Sequence, residues 1–282
     1  MKKWIKPIQA GISGKLNKAT NKYDFTVDFN NNSSEDVIQF IEPYFFESSI
    51  DDDVFWFGYK FNDGVDSKLR KEFIEFMKDV KTEIWEDPED EWSETYFEQG
   101  GISESDLSTM IIRSLKNAGL QNYDIDLIVC PESKGKLVSE IVKCTSNYLS
   151  TTRTIPSEIL IKSDPSNIKF DIEKCLDDIE DSKIRVPHYV DESYLKEIEH
   201  KIKTADRFSM RKLVYPPVLR KYVTGIFRIP LLKPLETAES ILVIDDFKTS
   251  GTTIQQMVSS IRKVNPETII YIFTLFGKTG KL

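Results

Sequence analysis

Two adjacent carboxylates, Asp245 and Asp246, close an apolar run in ILVIDDFKTSGTT (241–253) and stand just ahead of a small, hydroxyl-rich turn. Like charges repel, so the pair itself does not hold a phosphate. Carboxylates do accept hydrogen bonds from hydroxyls, and a ribose presents two vicinal ones. The turn has the complementary character: Lys248, Thr249, Ser250, Gly251, Thr252 and Thr253 lead into a helical segment. The first backbone N–H groups of a helix lack internal partners, and the dipole there is positive. Hydroxyls add donors, and Gly251 lets the backbone come close to a bound group. Such a strand–loop–helix turn cradles a phosphate. A sugar 5-phosphate therefore fits, with its phosphate on the turn and its 2′- and 3′-hydroxyls on the acids. A magnesium ion bridging hydroxyls to further phosphates suits the same negative end. The bland alternative is a strand end with solvated acids.

The surrounding pattern supplies elements that would position these groups. From residue 103 onward, strands alternate with helices. SESDLSTMIIRSLKNAG opens with Ser103 as a candidate N-cap, has Asp106 three residues later, and closes at Gly119. DIDLIVC (124–130) is a strand leading into a turn and an amphipathic helix, and SEILIKS (157–163) is a second strand. ESILVIDD (239–246) is a third, read as buried on both faces from its continuous apolar character. A helix over 252–264 and a strand over 267–276 follow. This rhythm predicts parallel βαβ units and an α/β fold, whose ligands bind at the carboxyl ends of the strands. Residues 163–222 break the rhythm as an excursion, acidic in DIEKCLDDIEDS and basic from Arg207 to Lys221. Excursions of this length cover a site or dock something.

Residues 1–102 read differently, as an acidic and aromatic α+β region. YDFTVDF (23–29) and DVFWFGYKF (53–61) are expected strands, and Leu69, Phe73, Phe76 and Met77 have helical spacing. With 282 residues, 40% hydrophobic and 30% charged, the chain suits one large domain, or one domain with an appendage. A net charge of −8 argues against non-specific duplex binding by the whole surface. Three widely spaced cysteines, Cys130, Cys144 and Cys175, indicate neither a disulfide framework nor a zinc site. No run approaches the roughly 20 apolar residues of a membrane span, and no apolar signal core follows MKKWIKP. A reducing, cytoplasmic setting is expected. His188 and His200 have no ligand spacing and are expected at the surface.

ILVIDDFKTSGTT resembles the phosphoribosyl-pyrophosphate motif of type I phosphoribosyltransferases: an apolar strand, two acids, three spacers, then Thr/Ser-Gly-x-Thr/Ser. RKYVTGIFRIP (220–230) is similar to the Asn-x-x-Gly-Ala-Phe region of ComF-like members, with Tyr222 where the Asn usually stands. LIVCPESKGKLVSEI (127–141) is similar to the strand and pyrophosphate loop of the family, which makes Ser133, Lys134 and Gly135 that loop; a polar turn capping a helix is the other reading. The resemblance covers residues 103–282 and implies a parallel sheet of the type I phosphoribosyltransferase kind, with Mg and phosphoribosyl pyrophosphate or another ribose phosphate as ligands. It implies that Asp245 and Asp246 are the catalytic acids and touch the metal only indirectly. The turn from Lys248 to Thr253 would hold the phosphate. Arg207, Arg211 and Arg220 would belong to a loop closing over pyrophosphate, although the basic run also reads as a docking surface or a solvated face. Two departures qualify the match. Thr249 stands where purine-salvage members carry an Asp base, which disfavours 6-oxopurines, and Lys248 fills a spacer that is commonly apolar. The acceptor-binding hood is either the N-terminal region or part of 163–220.

Three functions are compatible with these residues. The first is an enzyme transferring a ribosyl group to or from an unidentified acceptor. The second is a module sensing a nucleotide or ribose phosphate without turnover. The third is a component of a multi-protein system, of the kind seen in DNA uptake or defence, with nucleic acid on the basic run 207–221 and a protein partner on the N-terminal region.

Overall fold

The strand at 240–248, whose apolar part is 241–244, lies between two parallel neighbours, in the first of two units into which the chain divides. A computed structural model describes residues 11–28, 38–43, 48–50, 53–61, 72–73, 104–132, 136–150, 155–206, 208–248 and 251–277. The first unit takes 1–158, 238–249 and 268–281; the second takes 159–237 and 250–267, with residue 282.

In the first unit, an antiparallel group precedes the parallel strands in the chain. It comprises β1 (Gly11–Asn17), β2 (Lys22–Asp28), β3 (Ile38–Pro43) and β4 (Ser48–Ile50). Next come β5 (Asp53–Phe61), α1 (Glu104–Ala118), β6 (Leu127–Pro131) and α2 (Lys136–Leu149). Two strands from near the chain's end, β11 (Ser240–Lys248) and β12 (Ile269–Gly277), complete the set. β6, β11, β12 and β5 lie side by side in that order, all parallel. β3 and β4 pair antiparallel with β5, and β1 continues to β2. The parallel strands β6, β11, β12 and β5, with helices packed on them, form an α/β arrangement.

Burial on both faces explains the continuous apolar strands. All five residues of β6 are buried, as are Ile241 to Ile244. Alternate positions, Ile128 and Cys130 on β6 with Leu242 and Ile244 on β11, join the core that includes Leu107, Ile111 and Leu115 of α1 and Leu137 and Ile141 of α2. A glycine is required at one contact. A Cβ at Gly58 of β5 would collide with the Ser114 side chain of α1, so the absence of one admits the helix. Of the helix expected around Phe73, only Glu72 and Phe73 lie within the described residues; both are helical and Phe73 is fully buried.

The second unit holds the excursion. β7 (Ser157–Lys162) pairs antiparallel with β10 (Phe227–Arg228), and β8 (Lys169–Phe170) with β9 (Val223–Thr224). Between them run α3 (Ile172–Glu180), α4 (Glu192–Thr204) and α5 (Met210–Leu213). Asp171 caps α3 by accepting from Lys174 N at 3.0 Å, and Asp191 caps α4 by accepting from Tyr194 N at 2.8 Å. α6 (Leu232–Thr237) and α7 (Thr252–Val264) follow. Ile254, Met257 and Ile261 form the buried stripe of α7 at spacings of three and four. Its Gln256 is also buried and donates through Nε2 to Val223 O at 2.6 Å. Among the described residues no helix is long and apolar enough to cross a membrane.

Burial pushes the thiols of Cys130, Cys144 and Cys175 up from an ordinary 9.0 to about 11. The folded chain therefore keeps protons that the unfolded chain loses between pH 9 and 11. The stabilising contribution is complete below pH 9 and is lost as pH rises towards 11. Urea midpoints at pH 8, 9.5 and 10.5 should fall progressively; an unchanged midpoint at pH 10.5 would refute this assignment.

Candidate functional site

The two acids lie within β11, not at its end. The expected strand closes at Asp246, yet the ladder with β12 continues through Phe247↔Phe276 to Lys248↔Gly277. Hydrogen bonds to β12 carry β11 past the charged residues. Its register with β6 runs only from Ile241↔Leu127 to Val243↔Val129. Carried on at that offset, Asp245 is level with Pro131, the last residue of β6, and Asp246 is one residue beyond it, at the carboxyl edge of the parallel strands. The chain leaves β6 at the same edge, after Pro131, because the strands are parallel and adjacent. That edge is where open α/β sheets bind ligands.

Strand geometry treats the two acids differently. Successive side chains face opposite sides of a sheet, and Ile244 joins the core against α1 and α2. Asp245 is 7% exposed, whereas Asp246 is half-buried. The Asp246 N–H donates to Asp245 Oδ1 at 2.9 Å, which orients the buried carboxylate. Asp245 also adds its negative charge to the burial that raises the Cys130 thiol, so the two groups are electrostatic neighbours across β6 and β11. Burial and this charge both disfavour the Cys130 thiolate.

One residue at this edge escapes sequence reasoning. Thr274 of β12 is the register partner of Asp245 and therefore faces the same side of the sheet. It is fully buried, and its Oγ1 has no hydrogen-bond partner among the described residues. The only sequence signal for it is a threonine inside the apolar run IIYIFTLF.

The turn after β11 is described in part. Lys248 is the last residue of the strand, with its side chain outside the described set, and Thr249 and Ser250 lie outside the described residues. Gly251 adopts φ 74° and ψ −5°, a left-handed conformation that favours glycine, and its carbonyl accepts from Gln255 N at 2.9 Å. Gly251 has no side chain with which to cap α7. Thr252 is half-buried and Thr253 exposed.

The other expected site residues divide. Ser133, Lys134, Gly135 and Arg207 lie outside the described residues, as does the side chain of Arg211. In sequence, Ser133 to Gly135 fall between the end of β6 and the start of α2. Arg220 donates from Nε to Val214 O at 3.2 Å within the second unit. Its neighbour Lys221 pairs with Asp178 at 3.2 Å and sits 4.8 Å from the Tyr222 ring centre. Tyr222, which stands where the resemblance leads us to expect Asn, is buried and donates to Asp178 Oδ2 at 2.7 Å. That bond, with the nearby lysines, holds the Asp178 carboxyl below its ordinary range, and burial together with the same bond drives the Tyr222 phenol upward. Among the described residues, no three His, Cys, Asp or Glu side chains gather as a metal site. No protein-family model matches the chain, and no curated protein matches it.

Proposed function

We propose that the chain is a phosphoribosyltransferase-like protein that binds phosphoribosyl pyrophosphate, or a related ribose phosphate, with Mg. It transfers the ribosyl group to or from an acceptor. The observation that carries this reading is the position of Asp245 and Asp246 on β11, at the carboxyl edge it shares with β6. The sheet would then be of the type I phosphoribosyltransferase kind. Asp246, the more exposed acid, accepts from the ribose hydroxyls, while Asp245 supports the site from beneath. Amides and hydroxyls from Thr249 to Thr253 receive the 5-phosphate, and the Ser133–Gly135 loop receives pyrophosphate.

The residues present suit Mg in one way only. Two carboxylates without a third do not cage the ion, but Mg keeps waters and binds through substrate phosphates with one or two carboxylates in support. When bound, it would neutralise charge on the leaving pyrophosphate. In the transfer, the bond from ribose C1 to the pyrophosphate oxygen breaks, a bond from C1 to the acceptor nitrogen forms, and the acceptor loses a proton. The chain's part is to fix the donor and exclude water.

The burial of Asp245 favours one further reading, a sensor that binds the same ligand without turnover. Calorimetry with phosphoribosyl pyrophosphate, with and without Mg, tests both. Mg-dependent binding with pyrophosphate release supports the transferase, and binding without release supports the sensor. The absence of any binding removes both.

A further inference from the structure

We propose that the tyrosine cluster of the second unit is a stacking platform for single-stranded polynucleotide. The inference stands apart from the ribose-phosphate reading, because none of its residues belongs to that site. Tyr189 and Tyr215 are 43% and 57% exposed. Such large rings left in water at one place require a reason. The Tyr189 ring is held by its neighbours, and the Tyr215 backbone is anchored. Tyr189 packs edge-on against Tyr194 of α4, with ring centres 5.4 Å apart and planes at 74°, and His188 packs against Tyr189 at 6.0 Å. The Tyr194 hydroxyl donates to the Tyr215 carbonyl at 2.9 Å, which ties the segment bearing the second exposed ring to α4. Rings already positioned lose little rotamer freedom when a base stacks on them. Every base has a π-face, so the contact is tolerant of sequence.

Charge selects this ligand over an apolar or acidic one. Residues 183–221 contain ten lysines and arginines against five acids, within a chain of net charge −8. On α4, Lys196, Lys201 and Lys203 are neutralised by Glu192, Glu197 and Glu199 one turn away. Lys183 and Lys221 pair with Asp181 and Asp178. Arg185 and Lys212 are exposed and enter no ion pair among the described residues. They precede the two exposed rings in sequence, four residues before Tyr189 and three before Tyr215. Exposed aromatic faces with uncommitted cations a few residues away in sequence are the two parts of a single-strand site: stacking for the bases and charge for the phosphates.

The test is fluorescence anisotropy on the full chain, with labelled oligothymidylate and oligouridylate of equal length and a duplex control. Both single strands should bind more tightly than the duplex, and a preference between them tells whether DNA or RNA is the natural ligand. Joint replacement Tyr189→Ala and Tyr215→Ala should weaken binding by tenfold or more, in the range of about 1–3 kcal/mol per stacked base. Tyr189→Phe with Tyr215→Phe should retain it, which separates ring stacking from any effect on folding. Arg185→Ala and Lys212→Ala should each flatten the salt dependence by about one unit of slope. The proposal is overturned if neither single strand binds, if the duplex binds equally, if the Phe pair loses binding like the Ala pair, or if a proline-rich or acidic peptide occupies the patch instead.

Discussion

Replacing both Asp245 and Asp246 with Asn is expected to weaken binding of phosphoribosyl pyrophosphate by more than a hundredfold while leaving the fold in place. A hydrogen bond to a charged partner contributes about 1.5–3 kcal/mol, so losing the charge of two acids reaches that range. The geometry divides the effect. Asp246 is half-buried at the carboxyl edge and should carry the larger share as a single variant; Asp245 is 7% exposed and acts from below. Asparagine keeps shape and hydrogen bonding, so circular dichroism and the melting temperature should change little. Asp245→Asn has a second readout independent of ligand. Its charge is one of two causes that hold the Cys130 thiol at about 11, so the variant should titrate that thiol at a lower pH. Unaltered affinity in the double variant would remove the acids from the ligand site, and an unmoved thiol would remove Asp245 from the neighbourhood of Cys130.

How much of this was legible in the sequence depended on whether local pattern or distant pairing set each feature. Helix α7 runs from Thr252 to Val264, the limits its apolar spacing predicts, and β5 matches the expected 53–61. Both follow from residue character within about a dozen residues, the spacing of apolar positions in α7 and the aromatic run in β5. The extension of β11 beyond Asp246 was not legible, because it depends on hydrogen bonds from β12 and not on the character of Asp246 or Lys248. The pairing of Asp245 with Thr274 was hidden for the same reason. In the acidic run DIEKCLDDIEDS no pattern singles out Asp178 until Tyr222 and Lys221 are brought to it. The parallel partnership of β5 with β12 joins opposite ends of the chain, and no local signal encodes it.

The second large effect expected is at Phe73, where Phe73→Ala should cost about 3–5 kcal/mol, the usual result of emptying a buried aromatic site. The residue is fully buried and meets three rings edge-on: Phe25 at 5.3 Å, Phe276 at 5.5 Å and Phe247 at 6.4 Å. Phe247 and Phe276 stack on each other at 5.0 Å, one from each of the two neighbouring strands. Phe73 therefore clamps the carboxyl ends of β11 and β12 from the N-terminal part of the chain. Against a typical net stability of about 5–15 kcal/mol, such a loss lowers the urea midpoint severely with little change in slope. Because Phe247 directly follows Asp246, a loosened ring should also blur the acid's position and weaken ligand binding in the fraction that remains folded. Phe73→Leu, which retains much of the volume, should recover most of both properties. A loss below about 1 kcal/mol for Phe73→Ala would mean that the site collapses around the missing ring, and that the N-terminal region does not brace the strands that carry the acids.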